Sequence, residues 1–204
     1  MMLEVQLRYA PLPFIGRFAW HYWFVVWDDT GAHRWEVWQT KNAGGTCIGH
    51  VHCDLKRPDD GVGGGPSRVA FQWSGEDAQR IARVLEKAGS YPYCQRYRLW
   101  PGPNSNTFVA TVLRAVPELE VTLPPNAIGK DFRDGVYAGM TDSRTGVELS
   151  MYGLLGIKAG WIEGIELNLL GLVAGLDLRH PAVKLPGFGR IGIDNGTAVA
   201  APAR

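Results

Sequence analysis

The feature that most limits how this chain can fold is a pair of aromatic and β-branched segments near its start. Trp20–Trp27 (WHYWFVVW) and Arg34–Thr40 (RWEVWQT) have high β-propensity, and Asp28-Asp29-Thr30-Gly31 between them has turn chemistry. The pattern predicts a β-hairpin. A loop of two or four residues would place Glu36 on the same sheet face as His21, whereas a loop of three would place it elsewhere.

The rest of the pattern predicts an α+β domain. Apolar residues recur at helical spacing from about Ser74 to Gly89, and a second helix is expected from about Ser105 to Ala115. Beyond Pro125, glycines every few residues favour a tightly turned antiparallel sheet over long helices. We expect an antiparallel sheet packed against two main helices, in a single domain over residues 1–196 with a flexible tail over 197–204.

Composition excludes several classes of protein. A net charge of +1 without a run of Lys and Arg argues against electrostatic capture of nucleic acid or anionic membrane. The longest uncharged stretch near the end, Leu167–Leu176, is too short to span a bilayer, which takes about 20 apolar residues. Three cysteines and an N-terminus without a continuous apolar stretch argue against a secreted disulfide protein. The expected location is cytoplasmic.

The best candidate for chemistry is the segment Pro101–Phe108 (PGPNSNTF), in which two prolines and a glycine lead into the second helix. A hydroxyl at a helix N-terminus lies among free backbone N–H groups, which stabilise an oxyanion or an anionic nucleophile. Asn104 or Ser105 can equally serve as an ordinary helix cap.

His21 on the first strand of the hairpin is a candidate base. Its ordinary role would be that of a packed histidine bonded to a backbone carbonyl. Glu36 could orient the imidazole and complete a nucleophile–base–orienter arrangement, and His50 and His52 are the alternatives for that third position.

Several blocks resemble an uncharacterised bacterial family of domains of unknown function. They are WHYW, YPYCQRYRLWPGPNSNTF, LPPNAIGKDF, GVELSMYGLLG and GIELNLLGLVAGLDLRHPAVKLPGFGRIG, and together they run from about Phe18 to Gly192. The resemblance implies membership of that family and carries no activity.

A more distant resemblance is to circularly permuted papain-like proteins of the lecithin–retinol acyltransferase type. His21-Tyr22-Trp23 and Asn104–Phe108 occur in the order of that family's histidine and nucleophile motifs, with Ser105 at the position of its cysteine. The resemblance implies a permuted papain-like fold and an amide or ester hydrolase or acyltransferase. Because a serine must lose its proton during attack, His21 would act as a general base, and Asn104 or helix N–H groups would hold the oxyanion.

The same hypothesis assigns residues to substrate binding. Trp20, Trp23 and Trp100 would form an apolar wall, with Asn106 beside it, for a small-molecule, lipid or peptide substrate, and no cofactor is expected. The alternative is a catalytically inactive module of the same fold that binds a peptide, a lipid or a protein partner. The serine at the nucleophile position favours that alternative.

Two further polar groups have ordinary explanations. Cys47, His50, His52 and Cys53 are potential zinc ligands, but strand alternation separates Cys53 from the histidines, and structural zinc sites draw on two separated pairs. We therefore predict no metal site. Lys130-Asp131 is expected to be a surface turn ion pair, which contributes little to stability.

Overall fold

The computed structural model describes residues 3–192, which form two antiparallel sheets. The first sheet has six strands, which are Glu4–Pro11 (β1), Trp20–Asp28 (β2), Gly31–Val37 (β3), Thr46–Ile48 (β4), Val51–Cys53 (β5) and Arg68–Ser74 (β6). Their order across the sheet is β4-β5-β3-β2-β1-β6. The second sheet is a meander of seven consecutive strands. These are Val136–Met140 (β7), Gly146–Met151 (β8), Leu155–Gly160 (β9), Gly164–Leu169 (β10), Leu172–Asp177 (β11), Ala182–Leu185 (β12) and Gly189–Gly192 (β13).

Two short helices cover one face of the first sheet. They are Gly75–Glu86 (α1, 12 residues) and Ser105–Arg114 (α2, 10 residues), and 3-10 turns follow them at Ala88–Ser90 and Pro117–Leu119. Side chains of both helices, such as Ile81 and Phe108, share a buried core with strand residues. None of the helices within residues 3–192 has the length and apolarity needed to cross a membrane.

The expected α+β architecture is wrong. Thirteen antiparallel strands in two sheets dominate the described chain, whereas the permuted papain-like arrangement called for an antiparallel sheet packed against two main helices. The helices have the predicted starts, but they are small beside the sheets. The glycine-rich second half supplies seven of the thirteen strands. The predicted tail over residues 197–204 lies outside the described residues.

The first hairpin leaves a gap between the start of β2 and the end of β3, and the candidate site lies at this gap. β2 and β3 pair from Asp28↔Gly31 to Phe24↔Trp35, so their connecting loop has two residues. The pairing of β3 with β2 ends at Trp35, whereas the pairing with β5 at the other edge of β3 continues to Val37. The β3-facing backbone edge of β2 at its first residues is therefore free of strand partners.

The second sheet is inverted relative to an ordinary half-exposed sheet, because its outward side chains are aliphatic and its inward ones are charged. We call the outward surface the apolar face. All of its members are exposed, and they are Val136, Met140, Val147, Leu149, Met151, Leu155, Ile157, Ile165, Leu167, Leu169, Leu172, Leu176, Val183, Leu185 and Ile191. Soluble monomers rarely expose a contiguous apolar patch larger than a few hundred Å².

The inward side of the second sheet packs through a buried network of ion pairs, here called the ionic layer. Its members come from the strands, from α2, from the segment before β7 and from the β7–β8 turn, and they are Arg114, Lys130, Asp131, Arg133, Asp142, Glu148, Lys158, Glu166 and Lys184. Lys158 Nζ lies 2.6 Å from Asp131 Oδ1 and 3.1 Å from Asp142 Oδ2. Lys130 Nζ lies 2.7 Å from Glu166 Oε2. Lys130-Asp131 is thus a buried structural pair, and its predicted surface position is wrong.

Charge compensation decides the protonation states in the ionic layer. Burial alone would raise the pKa of Asp131, but Lys130 and Lys158 hold it well below its ordinary value. Burial likewise opposes ionisation of Asp142, yet Arg114, Lys158 and Arg133 lower its pKa strongly. Burial favours neutral Lys158, and the surrounding carboxylates outweigh it and raise its pKa.

These shifts predict a stability plateau at intermediate pH. A carboxyl with a depressed folded pKa contributes stability that is lost as the pH falls below its unfolded pKa, about 3.9 for Asp. A lysine with a raised folded pKa loses its contribution above its unfolded pKa, about 10.4. We expect the urea midpoint to fall between pH 5 and pH 2.5. Asp142→Asn should start lower at neutral pH and fall less over that acid range; parallel curves for the two proteins would contradict this assignment.

Candidate functional site

Asn106 fills the gap between β2 and β3. Its Oδ1 accepts a hydrogen bond from the backbone N–H of Tyr22 at 3.1 Å, and its Nδ2 donates to the carbonyls of Trp20 and Ile128 at 2.9 Å each. The amide thus occupies the backbone positions that β3 leaves free. Tyr22 and Trp20 flank His21, so this contact fixes the start of α2 against β2 at the histidine.

Asn104 caps α2 and is fully occupied in doing so. Its Oδ1 accepts from the N–H groups of Asn106 and Thr107 at 3.0 and 3.2 Å, and Thr107 Oγ1 accepts from the Asn104 N–H to complete a capping box. Its Nδ2 donates to the carbonyls of Leu99 and Ile128. Both amide hydrogens are therefore committed, and none is left for an oxyanion.

A glycine makes the close approach to this cap possible. Gly129 has a φ of +97°, and a Cβ there would lie 2.3 Å from Asn104 Nδ2. Its carbonyl accepts from Thr107 Oγ1 at 2.8 Å. The segment containing IGKD thus packs directly against the N-terminus of α2.

His21 and Glu36 meet across the gap. His21 Nε2 lies 2.8 Å from Glu36 Oε2, and both side chains are buried. The two-residue loop is one of the lengths that places them on a common face. Arg34 Nη2 binds the same carboxylate oxygen at 2.9 Å, while its guanidinium lies 4.0 Å from the centroid of the Trp23 ring. Burial acts to raise the pKa of Glu36, but the hydrogen bond and charge of His21 and the charge of Arg34 outweigh it and lower that pKa.

The loop over residues 56–66 covers this side of the sheet. Its backbone carbonyls accept hydrogen bonds from buried side chains of the sheet. Arg34 Nη1 donates to the carbonyls of Arg57 and Asp60 at 3.0 and 2.7 Å, and Trp23 Nε1 donates to the carbonyl of Pro58 at 3.0 Å. The loop therefore closes over the His21–Glu36–Arg34 cluster.

Ser105 is the first residue of α2 and is adjacent in sequence to the Asn106 contact. Ser105 and His21 are 6% and 5% exposed. Neither Ser105 Oγ nor His21 Nδ1 hydrogen-bonds any residue in the range 3–192, each other included. The structure thus brings the α2 N-terminus to the backbone on both sides of His21, and it leaves these two polar atoms unbonded.

The three tryptophans assigned to a substrate wall do not meet. Trp20 stacks on Tyr9 with ring centroids 4.7 Å apart. Trp23 is fully buried on the opposite face of β2, because neighbouring strand residues alternate. Trp100 is half-exposed and donates from Nε1 to the carbonyl of Leu170, at the β10–β11 turn of the second sheet.

The other histidines have structural partners. His52 Nδ1 lies 2.8 Å from the carbonyl of His50, and its Nε2 accepts from the N–H of Ala43. Burial lowers the pKa of His52. His50 Nδ1 lies 2.9 Å from the carbonyl of Trp38. Neither histidine replaces Glu36 as the partner of His21.

The residues weighed as zinc ligands do not converge. Within the described chain, three potential ligand atoms come within 4.8 Å of one another at His33, Cys53 and Asp54 instead. His33 Nδ1 and Asp54 Oδ2 are already 2.9 Å apart, and burial raises the pKa of the Cys53 thiol to about 12. The hydrogen bond between His33 and Asp54 explains why these residues lie close together.

The sequence-based reasoning missed Arg34 and the structural role of Asn106. Arg34 stands two residues before Glu36 and so shares its sheet face, which was a readable signal. No local sequence signal predicts the contact between Asn106 and β2, because that contact depends on where the pairing of β3 with β2 ends. Charged residues within apolar strands, such as Lys158 and Glu166, were a visible but unused sign of the ionic layer.

The fold and site define an antiparallel two-sheet protein with a buried His–Glu–Arg cluster beside the N-terminus of a helix. Residues 2–132 match the family described as "Protein of unknown function (DUF3750)", and the chain belongs to that family. The expected membership of a family of unknown function is confirmed. The match ends before β7, so it contains the candidate site and none of the second sheet. Neither the curated proteins nor the solved structures contain a match to the chain.

Proposed function

We propose that the protein is a serine-dependent hydrolase or transferase of acyl groups in amide or ester linkage, with Ser105 as nucleophile, His21 as base and Glu36 as orienting group. The observation that carries the proposal is the Asn106 contact. It fixes the residue next to Ser105 to the backbone on both sides of His21, whose Nε2 is held by Glu36.

The Glu36 contact selects the reactive nitrogen. An ionised carboxylate only accepts hydrogen bonds, so Nε2 of His21 carries a hydrogen and the lone pair of neutral imidazole lies on Nδ1. The low pKa of Glu36 keeps this carboxylate charged. Nδ1 is then the atom that takes the proton of Ser105 Oγ.

The reaction proceeds in two balanced steps. Ser105 Oγ attacks the carbonyl carbon, its proton passes to His21 Nδ1, and the carbonyl oxygen becomes an oxyanion. The N–H of Ser105 at the start of α2 is the proposed donor to that oxyanion, in place of the committed amide of Asn104. The C–N or C–O bond breaks as the leaving group takes the proton from His21. Water or an acceptor hydroxyl or amine, deprotonated by His21, then attacks the acyl carbon. The bond from that carbon to Ser105 Oγ breaks, and His21 returns the proton to the Ser105 oxygen.

A second candidate function is binding without catalysis. It is favoured by the small exposure of Ser105 and His21, because a buried nucleophile and a buried base are less accessible to a substrate.

Labelling with a fluorophosphonate separates the two functions. We expect the wild-type protein to be labelled at Ser105. Ser105→Ala should lose at least about 100-fold of the labelling rate, and Glu36→Gln should lose about as much, because its amide cannot hold the imidazolium. Ser90→Ala, at an exposed serine whose hydroxyl donates to the carbonyl of Lys87, is the control and should label normally.

Either of two labelling results would contradict the enzyme proposal. If Ser105→Ala labels like the wild type, or if neither a fluorophosphonate nor a β-lactone labels the folded wild-type protein, the site is not a nucleophile and the binding module replaces it.

A further inference from the structure

The apolar face of the second sheet is an unpartnered surface with a defined centre. β10 is the middle strand of the seven, and the pairing register places Leu149, Ile157 and Leu167 side by side across β8, β9 and β10. Ala138 and Ala174 continue this row on either side. The row crosses the strands at mid-length, so it marks the centre of the face.

The face is large enough for a stable protein interface. Seven strands about 4.8 Å apart and about 20 Å long give roughly 600 Å² of flat area, before the relief of the side chains is counted. Two such faces would bury about 1,200 Å² or more, which is the range of specific interfaces. A patch of this size is beyond what a monomer usually leaves in water.

We propose that the apolar face is the interface of a homodimer, in which the second sheets of two copies pack face to face. Each copy supplies the same aliphatic surface, and sheets packed in this way lie about 10 Å apart with interdigitated side chains. The charged side chains of β8–β12 turn inward, so two-fold pairing brings no like charges together at the centre.

The composition of the face favours a second copy over an unrelated partner. Obligate homodimer interfaces are more apolar than others and resemble a domain core cut in half. Interfaces with separate partners concentrate Trp, Tyr and Arg at their centres, whereas this centre is Leu, Ile and Ala. The dimer completes a two-layer β-sandwich from two identical layers.

Sedimentation equilibrium of the full chain tests the dimer. The wild-type protein should sediment at twice the monomer mass at micromolar concentration. Leu167→Glu places a carboxylate at the centre of the face in both copies and should raise the dissociation constant at least about 100-fold. Ile48→Glu is the matched control, because Ile48 is exposed to a similar degree on β4 of the first sheet, and it should remain dimeric.

Three results would overturn the dimer. The first is a wild-type protein that stays monomeric at about 100 μM, and the second is a dimer that Leu167→Glu does not weaken. The third is flotation of the monomeric wild type, but not of Leu167→Glu, with vesicles of phosphatidylcholine and phosphatidylglycerol, which would assign the face to a lipid surface. Circular dichroism that matches the wild type shows that the variant is folded, and this test is independent of Ser105 labelling.

Discussion

Lys158→Met is expected to lower the free energy of unfolding by about 4 kcal/mol, because it removes one partner from a buried ion network. Lys158 Nζ lies within 4 Å of carboxylate oxygens of Asp131, Asp142 and Glu148. Methionine fills a similar volume without a charge, so the loss is chiefly electrostatic. Urea unfolding of both proteins at neutral pH measures it.

Arg80→Met is the matched control for this loss. Arg80 pairs with Glu118 on the surface, where water screens both charges, and its removal should cost less than about 1 kcal/mol. Equal losses for the two variants would show that the ionic layer is solvated and that its charges are not held as described.

Asn106→Ala is expected to cost about 3 kcal/mol and to release the start of α2 from β2. The change deletes three hydrogen bonds and leaves the N–H of Tyr22 and the carbonyl of Trp20 without their partner. Urea unfolding gives the energy, and faster hydrogen exchange of the Tyr22 amide reports the local opening.

Asn168→Ala provides the comparison for Asn106. The side chain of Asn168 is partly buried and makes one hydrogen bond, from Nδ2 to the carbonyl of Gly153 at 3.1 Å. Its removal should therefore lower the free energy of unfolding by about 1 kcal/mol. If Asn106→Ala costs no more than Asn168→Ala and leaves Tyr22 exchange unchanged, Asn106 does not hold the helix to the strand. The geometric basis for Ser105 and His21 acting together would then be absent.

Local chemistry was sufficient to predict the hairpin but not its register. Aromatic and β-branched residues on both sides of a turn indicate two paired strands, yet they left the loop length open. The structure has a loop of two residues, which is one of the lengths that place His21 and Glu36 on the same face. The start of α2 was also readable, because asparagine followed by a helix-compatible run is a common cap.

The second sheet could not be predicted in the same way. Alternation shows that a strand has two different faces, but it does not say which one is turned inward. The usual assumption buries the apolar side. Here Lys158 and Glu166 are buried and Ile157 and Leu167 are exposed, because the segment containing Lys130 and Asp131 offers charged partners beneath the sheet. Those partners are distant in sequence, and only the tertiary structure brings them together.

The inward charges also bear on the order of folding. The inward side of the meander holds many charged residues and few buried apolar ones, such as Val173, so its strands gain little by forming before Lys130 and Asp131 are in position. Ribosomal synthesis delivers the first sheet, α2 and this segment before any residue of β7 emerges. We therefore expect the N-terminal part to fold first and the later hairpins to pair on it one after another.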